Sequence, residues 1–319
     1  MSIANERSAE SIVLMAAWLY YHDGWNQTDI AEHLQVSRAS VVNYLNRARE
    51  QGLIRVTLAD EVFTGHRLAE ALCERFGLRG AYVLPDSATD SEEQVFLRVA
   101  HGAAVWLPRL LAPGDRLGVS WGRTVFELAQ ALESVAVPEL TVTQLVGSMS
   151  TPYGFTAETC STIVAQKLSA TCVNLHAPAV LSDAELAERL RREPIIQAQL
   201  QALARCNKAI FAAGSCTPDS HIVGSGVATQ AELKRALKAG AVGVLCGRFI
   251  DANGEELGGN LSERMMGVSL SALRNLDVGL VIASGAERLA AMRATIRGGY
   301  ATHAVTSSSM AEALLSMTD

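Results

Sequence analysis

From Gly80 onward, short apolar runs alternate with longer amphipathic segments, and this alternation is the feature that most constrains the fold. Each run is bounded by turn residues, and apolar residues at helical spacing follow it. Alternation of this kind is typical of a parallel sheet with helices on both faces. We therefore predict a large, Rossmann-like, mainly parallel α/β domain. The predicted strands are 81–84, 116–120, 140–146, 171–175, 208–213, 241–246, 278–283 and 302–306.

The first 60 residues have a different pattern, in which short helices are separated by tight turns. Apolar spacing predicts helices over 9–21, 28–34 and 38–51, with Ser37 as the cap of the third helix and Gly52 as its end. Two short helices, a turn and a third helix form a helix-turn-helix pattern. The alternation in 53–58 predicts a short strand or wing. We expect a winged helix-turn-helix DNA-binding domain over 1–60, a linker helix within 61–80 and the α/β domain over 81–319.

The predicted third helix carries a polar face suited to reading DNA. Asparagine pairs with adenine, arginine with guanine or phosphate, and serine donates to phosphate. We expect Ala39, Val42, Leu45 and either Ala48 or Arg49 on the inner side. The alternative is an ordinary solvated helix face, but the preceding QxxIAxxLxVS sequence favours DNA binding. The predicted DNA-binding residues are Gln27, Ser37, Arg38, Ser40, Asn43, Tyr44 and Arg47.

Composition limits the class of protein. The net charge of −6 does not indicate nucleic-acid binding by itself, but Arg38, Arg47, Arg49 and Arg55 form a local basic excess against Glu50. The six cysteines are scattered, without CxxC or metal-ligand spacing, so we expect neither a metal site nor a disulfide framework. No apolar run is long enough for a membrane helix, and no secretory signal is evident. We therefore expect a cytoplasmic protein.

Three predicted strand exits in the α/β domain are rich in glycine and serine. They cover 118–124, 145–150 and 283–288. Ligands of open α/β sheets bind beyond the carboxyl ends of the strands, where free backbone N–H groups at helix starts bind anions. A small anionic ligand is the favoured interpretation. None of the exits is a dinucleotide fingerprint or a P-loop, so no cofactor is expected.

The order of these motifs resembles the SorC family of bacterial transcriptional regulators. The resemblance rests on the helix-turn-helix followed by VSWGRTV at 119–125, HAP at 176–178, GVLCGRFIDANG at 243–254 and the closing run 281–299. It implies an effector domain folded like sugar-phosphate isomerases, which senses a carbohydrate or its phosphate. It also implies a homodimer or homotetramer that binds operator DNA.

The resemblance also implies a set of effector contacts. Trp121 either stacks on a sugar ring or packs under its loop, and Arg248 pairs either with the ligand or between domains. Relatives often carry aspartate at the position of Val244, glycine at Ser284, lysine at Arg288 and aspartate at Ser307. These differences favour a smaller polyol or its phosphate, or another effector with fewer hydroxyls, over an ordinary sugar. The expected effector-binding residues are Ser120, Trp121, Gly122, Arg123, Thr124, Gly147, Ser148, Arg248, Gly285 and Arg288.

Two other classes of protein stay open at this point. One is a sugar-phosphate isomerase or deaminase with a helical appendage, for which Glu158, Asp219, His221 and Glu287 are the acid-base candidates. No paired acid and base stands out among them, so no catalytic residue is predicted. The other is a DNA-binding protein whose α/β domain serves only oligomerisation.

Overall fold

The computed structural model describes residues 3–54, 61–64 and 66–318, with side chains from residue 11 onward except that of Glu61. The chain divides into two compact units, Met1–Ala59 and Asp60–Asp319. Most of the predicted wing over 53–58 lies outside the described residues. No described helix is both long and apolar enough to cross a membrane.

The smaller unit is a three-helix unit made of α1 (Ile3–Tyr21), α2 (Gln27–Leu34) and α3 (Arg38–Glu50). The Asn26 side chain caps α2 by accepting hydrogen bonds from the amides of Thr28 and Asp29. Between α2 and α3, Gln35 has a left-handed backbone, which makes the turn tight. The core that joins the three helices contains Ala16, Leu19, Ile30, Ala31, Val41 and Leu45.

The inner face of α3 differs from the prediction. Val41, Leu45 and Ala48 are buried, whereas Ala39 and Val42 are exposed, so the prediction for those two residues was wrong. The predicted set and the observed set both have the spacing of one helix face. Packing against α1 buries the observed set, Val41, Leu45 and Ala48.

The larger unit is built on a parallel sheet of seven strands within the described residues, in the order β1-β9-β8-β5-β2-β3-β4. Two further strands, β6 and β7, form a separate antiparallel pair. The strands are β1 (Gly80–Leu84), β2 (Arg116–Val119), β3 (Thr141–Gln144), β4 (Thr171–Val173), β5 (Lys208–Ala212), β6 (Gly243–Leu245), β7 (Arg248–Ile250), β8 (Val278–Ile282) and β9 (His303–Ser307).

Helices cover both faces of the sheet, as predicted. Buried residues of α6, α7 and α8 pack on one face, and those of α5, α10, α14 and α15 pack on the other. The helices are α4 (Glu61–Thr64), α5 (Arg67–Phe76), α6 (Glu92–Trp106), α7 (Arg123–Ala131), α8 (Ala157–Lys167), α9 (Ala184–Arg191), α10 (Pro194–Ala204), α11 (His221–Gly224), α12 (Gln230–Lys238), α13 (Asn260–Arg264), α14 (Leu289–Arg297) and α15 (Ser308–Ser316), with 3-10 turns at Leu107–Leu110, Leu270–Leu273 and Ala286–Arg288.

Two elements of the larger unit differ from the prediction. The segment 241–246 does not join the main sheet, because Cys246 and Gly247 both have positive φ and turn the chain back into a β6–β7 hairpin. The residues predicted as a linker, 61–80, fold as part of the larger unit, and α5 buries Leu68, Ala69 and Leu72 in its core.

The strand order reverses direction between β2 and β5. From β2 the chain continues outward to β3 and β4 on one side, whereas β5, β8 and β9 lie on the other side. The connections on the two sides of such a switch point diverge and leave a crevice at the carboxyl ends of the strands. The fold therefore predicts a ligand site beyond Val119 and Ala212.

Candidate functional site

A cavity of about 230 Å³ lies at this switch point, and we call it the switch-point cavity. Its walls come from the end of β2 with the start of α7, from the loop after β5, from the β6–β7 turn and from the 3-10 turn at 286–288. Its lining includes Ser120, Trp121, Gly122, Arg123, Thr124, Ser215, Thr217, Asp219, Ser220, His221, Val244, Cys246, Glu287 and Arg288. The lining is slightly more polar than apolar and carries hydroxyl, carboxylate and guanidinium groups, which suits a small hydrophilic ligand.

The amino terminus of α7 forms one wall of the switch-point cavity. The first-turn amides of a helix have no partner within the helix, and Gly122 at the cap has no side chain to satisfy them. Gly122 has φ of 118°, a conformation that favours glycine, and the space beside its Cα is open. An anion at this position would receive backbone N–H donors and the favourable helix dipole.

Two arginines line the cavity, and each already has a carboxylate partner. Arg288 Nη1 lies 2.6 Å from Glu287 Oε1 and donates to the Ser284 carbonyl at 2.9 Å. Arg123 pairs with Glu93 and stacks on the Phe96 ring, 4.5 Å from its centroid. A ligand anion at this site would therefore compete with Glu287 and Glu93 for the two guanidinium groups.

The loop after β5 contributes a buried hydroxyl without a partner. Ser220 is 8% exposed, lines the cavity, and its Oγ has no hydrogen-bond partner among the described residues. An unsatisfied buried hydroxyl costs about 1–3 kcal/mol, and a ligand group that pairs with the Ser220 hydroxyl would remove this cost.

His221 lies between the cavity and an aromatic cluster. Its ring is 4.7 Å from that of Tyr153 and 5.6 Å from that of Phe155, measured between centroids. Burial lowers the pKa of His221 below its ordinary value, and the positive charges of Arg288 and Arg123 lower it further. The imidazole is therefore uncharged at neutral pH in this environment.

The structure brings together part of the predicted effector set. Ser120, Trp121, Gly122, Arg123, Thr124 and Arg288 all line the switch-point cavity. Trp121 is 8% exposed and belongs to the core as well as to the cavity wall. Sequence reasoning did not assign Thr217, Ser220 or Cys246 to the site, and it considered Asp219 and His221 only as candidates for catalysis.

Four predicted residues lie elsewhere. Gly147 and Ser148 donate their amides to the carbonyls of Met266 and Ala177, so the chain after β3 packs against two other segments instead of facing the cavity. Arg248 is buried in β7, where Nη1 lies 2.6 Å from Glu256 Oε1, which makes it a structural ion pair within the larger unit. Gly285 lines a neighbouring cavity.

A second candidate surface is the outer face of α3. Asn43 and Arg47 are exposed and have no hydrogen-bond or ion-pair partner among the described residues, while Tyr44 is partly buried against the core. Ser37 caps α3 through the Ser40 amide, and Arg38 Nε donates to Gln27 Oε1 at 3.3 Å. Exposed Val42 and Asn46 lie on the same face and were not predicted.

Comparison with known proteins identifies the family in which a cavity like the switch-point cavity occurs together with an N-terminal helical unit. The family model described as "Putative sugar-binding domain" matches residues 60–316, most of the chain. The uncharacterized transcriptional regulator YjhU of Escherichia coli K12 is 35% identical, covering 95% of this chain and 94% of the relative. The full-length sorbitol operon regulator SorC of Klebsiella pneumoniae has a similar structure, with a TM-score of 0.77 and 25% identity over 96% of this chain and 98% of SorC.

The chain belongs to the SorC family of transcriptional regulators. The deoxyribonucleoside regulator of Bacillus subtilis is also similar to this SorC-family chain, with 28% identity over 97% of it and 99% of the relative. A further family model, described as "Putative ATPase subunit of terminase (gpP-like)", matches only residues 13–62. The relatives are named as regulators, so the function is transcriptional regulation and the enzyme alternative is set aside.

Proposed function

We propose that this SorC-family regulator binds operator DNA through α3 in the cytoplasm, as a homodimer or homotetramer. A small carbohydrate or carbohydrate phosphate in the switch-point cavity changes its affinity for that operator. The observation that carries the proposal is the convergence of the α7 amino terminus, two arginines and the unpartnered Ser220 hydroxyl in one cavity. Asn43 and Arg47 are exposed and have no side-chain partner within the described part of the chain, which supports the DNA contact.

The coupling between the two sites can be measured directly. Fluorescence anisotropy with DNA from upstream of the regulator's own gene, titrated with a panel of sugar phosphates, gives the operator affinity with and without effector. Coupling free energies of 1–3 kcal/mol are typical, so we expect a shift of about 5- to 150-fold. A ligand that binds the protein but leaves operator affinity unchanged would contradict the proposal.

Ser220→Ala separates a binding role of this hydroxyl from a structural one. The Ser220 hydroxyl has no hydrogen-bond partner among the described residues, so its removal should leave the free energy of unfolding of the unliganded protein unchanged or slightly higher. Loss of one ligand hydrogen bond should weaken effector binding by about 0.5–1.5 kcal/mol, or 2- to 13-fold. Calorimetric titration and urea denaturation measure the two effects.

Ser225→Ala is the matched control. Ser225 is also 8% exposed, but its Oγ donates to the Ile222 carbonyl at 3.4 Å and it does not line the switch-point cavity. This variant should show a small loss of stability and unchanged effector affinity. Equal effector affinity in both variants and the wild type would remove Ser220 from the site.

Anion binding should depend on pH through His221. Burial and the two arginines lower the pKa of His221, and a bound dianion would raise it. Binding therefore takes up a proton at pH values between the pKa without ligand and the pKa with ligand. Affinity should therefore increase as the pH falls through that window. We expect sulfate, whose charge is constant in this range, to bind up to about ten-fold more tightly at pH 5.5 than at pH 7.5, since one pKa unit corresponds to a factor of ten.

The same titration on His221→Gln identifies the group responsible. Arg123, Arg288 and Asp219 also face His221, but a hydrogen bond from Thr217 lowers the pKa of Asp219 and moves its titration away from this window. The pH dependence should flatten in the variant. An unchanged slope would assign the proton uptake to another group.

A further inference from the structure

A second cavity of about 660 Å³ borders the switch-point cavity at the carboxyl ends of β1, β8 and β9. Arg123, His221, Glu287 and Arg288 line both cavities and form their common wall. We call the second cavity the acidic chamber, because its lining includes the carboxylates of Asp86, Asp90, Glu92, Glu93, Glu287 and Glu312.

The acidic chamber carries a negative charge that its own cations do not balance. Its six carboxylates face only two guanidinium groups among the described lining residues, and His221 is uncharged at neutral pH. Arg98 lies outside the lining but pairs with Asp90 and balances one more carboxylate, so three negative charges are left. A second anionic group would be repelled from this chamber, whereas a cationic group would be attracted.

Most of the carboxylates already have a protein partner. Asp90 pairs with Arg98 at 2.9 Å, Asp86 accepts hydrogen bonds from Ser309, Glu93 pairs with Arg123 and Glu287 pairs with Arg288.

Glu92 and Glu312 have no ion pair or hydrogen bond among the described residues. Glu92 lies in the first turn of α6, where the helix dipole stabilises it, but Glu312 lies in the middle of α15 and has no such role.

An independent observation points to a ligand in this chamber. Ser284 is 4% exposed and lines the chamber, and its hydroxyl has no hydrogen-bond partner among the described residues. Only its carbonyl is used, as the acceptor from Arg288. A buried hydroxyl beside carboxylates can accept a hydrogen bond from a ligand that brings several donors.

An ammonium group fits these features better than a metal ion does. Among the described residues, no three histidine, cysteine or acidic side chains converge as a metal site. An ammonium group supplies one positive charge and three hydrogen-bond donors, which spaced carboxylates and a hydroxyl can share. A polyol would supply donors without balancing the charge.

We propose that the effector is an amino sugar phosphate, with its phosphate in the switch-point cavity and its ammonium group in the acidic chamber. This inference rests on the proposed function, because it assigns the chemical class of the same effector. Arg123 and Arg288 lie in the common wall, so a phosphate held there leaves the rest of a small sugar beside the acidic chamber.

Calorimetry on the full chain with three probes tests the inference. Glucosamine 6-phosphate, N-acetylglucosamine 6-phosphate and glucose 6-phosphate share the phosphate and the ring and differ at one position. We expect glucosamine 6-phosphate to bind at least ten-fold more tightly than the other two. In the double variant Glu92→Gln/Glu312→Gln this preference should fall below three-fold.

The preference is a ratio of two dissociation constants measured on one protein, so a general loss of fold cancels from it. Glu185→Gln, an exposed residue at the start of α9 outside both cavities, should keep the full ratio. Equal binding of the three probes would overturn the inference and leave the proposed function standing. Binding of none of them, with no change in operator affinity, would count against both.

Discussion

Arg47→Ala is expected to weaken operator binding by about ten-fold or more at fixed salt. Arg47 is exposed on the outer face of α3 and has no ion-pair or hydrogen-bond partner among the described residues, so its guanidinium is available to DNA. A specific base contact by arginine is worth about 1–3 kcal/mol. Fluorescence anisotropy with an operator fragment selected from random DNA measures the loss.

The salt dependence of binding shows which kind of contact is lost. A phosphate contact would lower the slope of log affinity against log salt by about one, whereas a base contact would relax sequence preference at one position. Arg189→Ala, an exposed arginine near the end of α9, is the matched control and should bind DNA normally. Unchanged affinity, salt slope and sequence preference in Arg47→Ala would exclude this face of α3 from the interface.

Gly279→Ala is expected to lower the free energy of unfolding of the larger unit by about 3 kcal/mol or more. A Cβ at this position in β8 would lie 2.0 Å from the backbone oxygen of Tyr300, which is far inside contact distance. The backbone of β8 cannot move away easily, because it pairs with β5 on one side and β9 on the other. Overpacking against backbone in a sheet is at the upper end of the usual 1–3 kcal/mol penalty.

Gly258→Ala is the control for backbone entropy alone. Nothing lies within 4 Å of a Cβ built at Gly258, and its φ is outside the left-handed region. Urea denaturation should therefore give a free energy of unfolding equal to or slightly above that of the wild type. If Gly279→Ala had the same free energy of unfolding as this control, Gly279 of β8 could not lie as close to the Tyr300 backbone as described.

The sequence predicts the main sheet well because buried parallel strands are continuous apolar runs. Seven of the eight predicted strands contribute to the sheet, in which every pairing is parallel. The exception, 241–246, has the same apolar pattern, but the pattern does not show which strand it pairs with. The positive φ values at Cys246 and Gly247 turn the chain back, so that this segment pairs with β7 as a hairpin and not with the main sheet.

The candidate site is only partly predictable, for a different reason. The exits at 118–124 and 283–288 carry a visible signal, because each leads from a strand into a helical turn through glycine. Ser220 and His221 lie in an irregular loop after β5, and their relevance depends on β5 being the neighbour of β2 across the switch point. Strand order comes from tertiary packing and is not encoded in local periodicity.

The position of β9 has a consequence for how the protein is made. β9 lies between β1 and β8, although β1 is the first strand of the sheet along the chain and β9 is the last. The sheet can therefore be completed only after synthesis has passed residue 307. The N-terminal helical unit is complete some 250 residues earlier. Contacts that span so much of the chain slow folding and leave strand edges open in the meantime. A nascent chain would thus expose α3, the helix that we propose binds DNA, well before the switch-point cavity has formed.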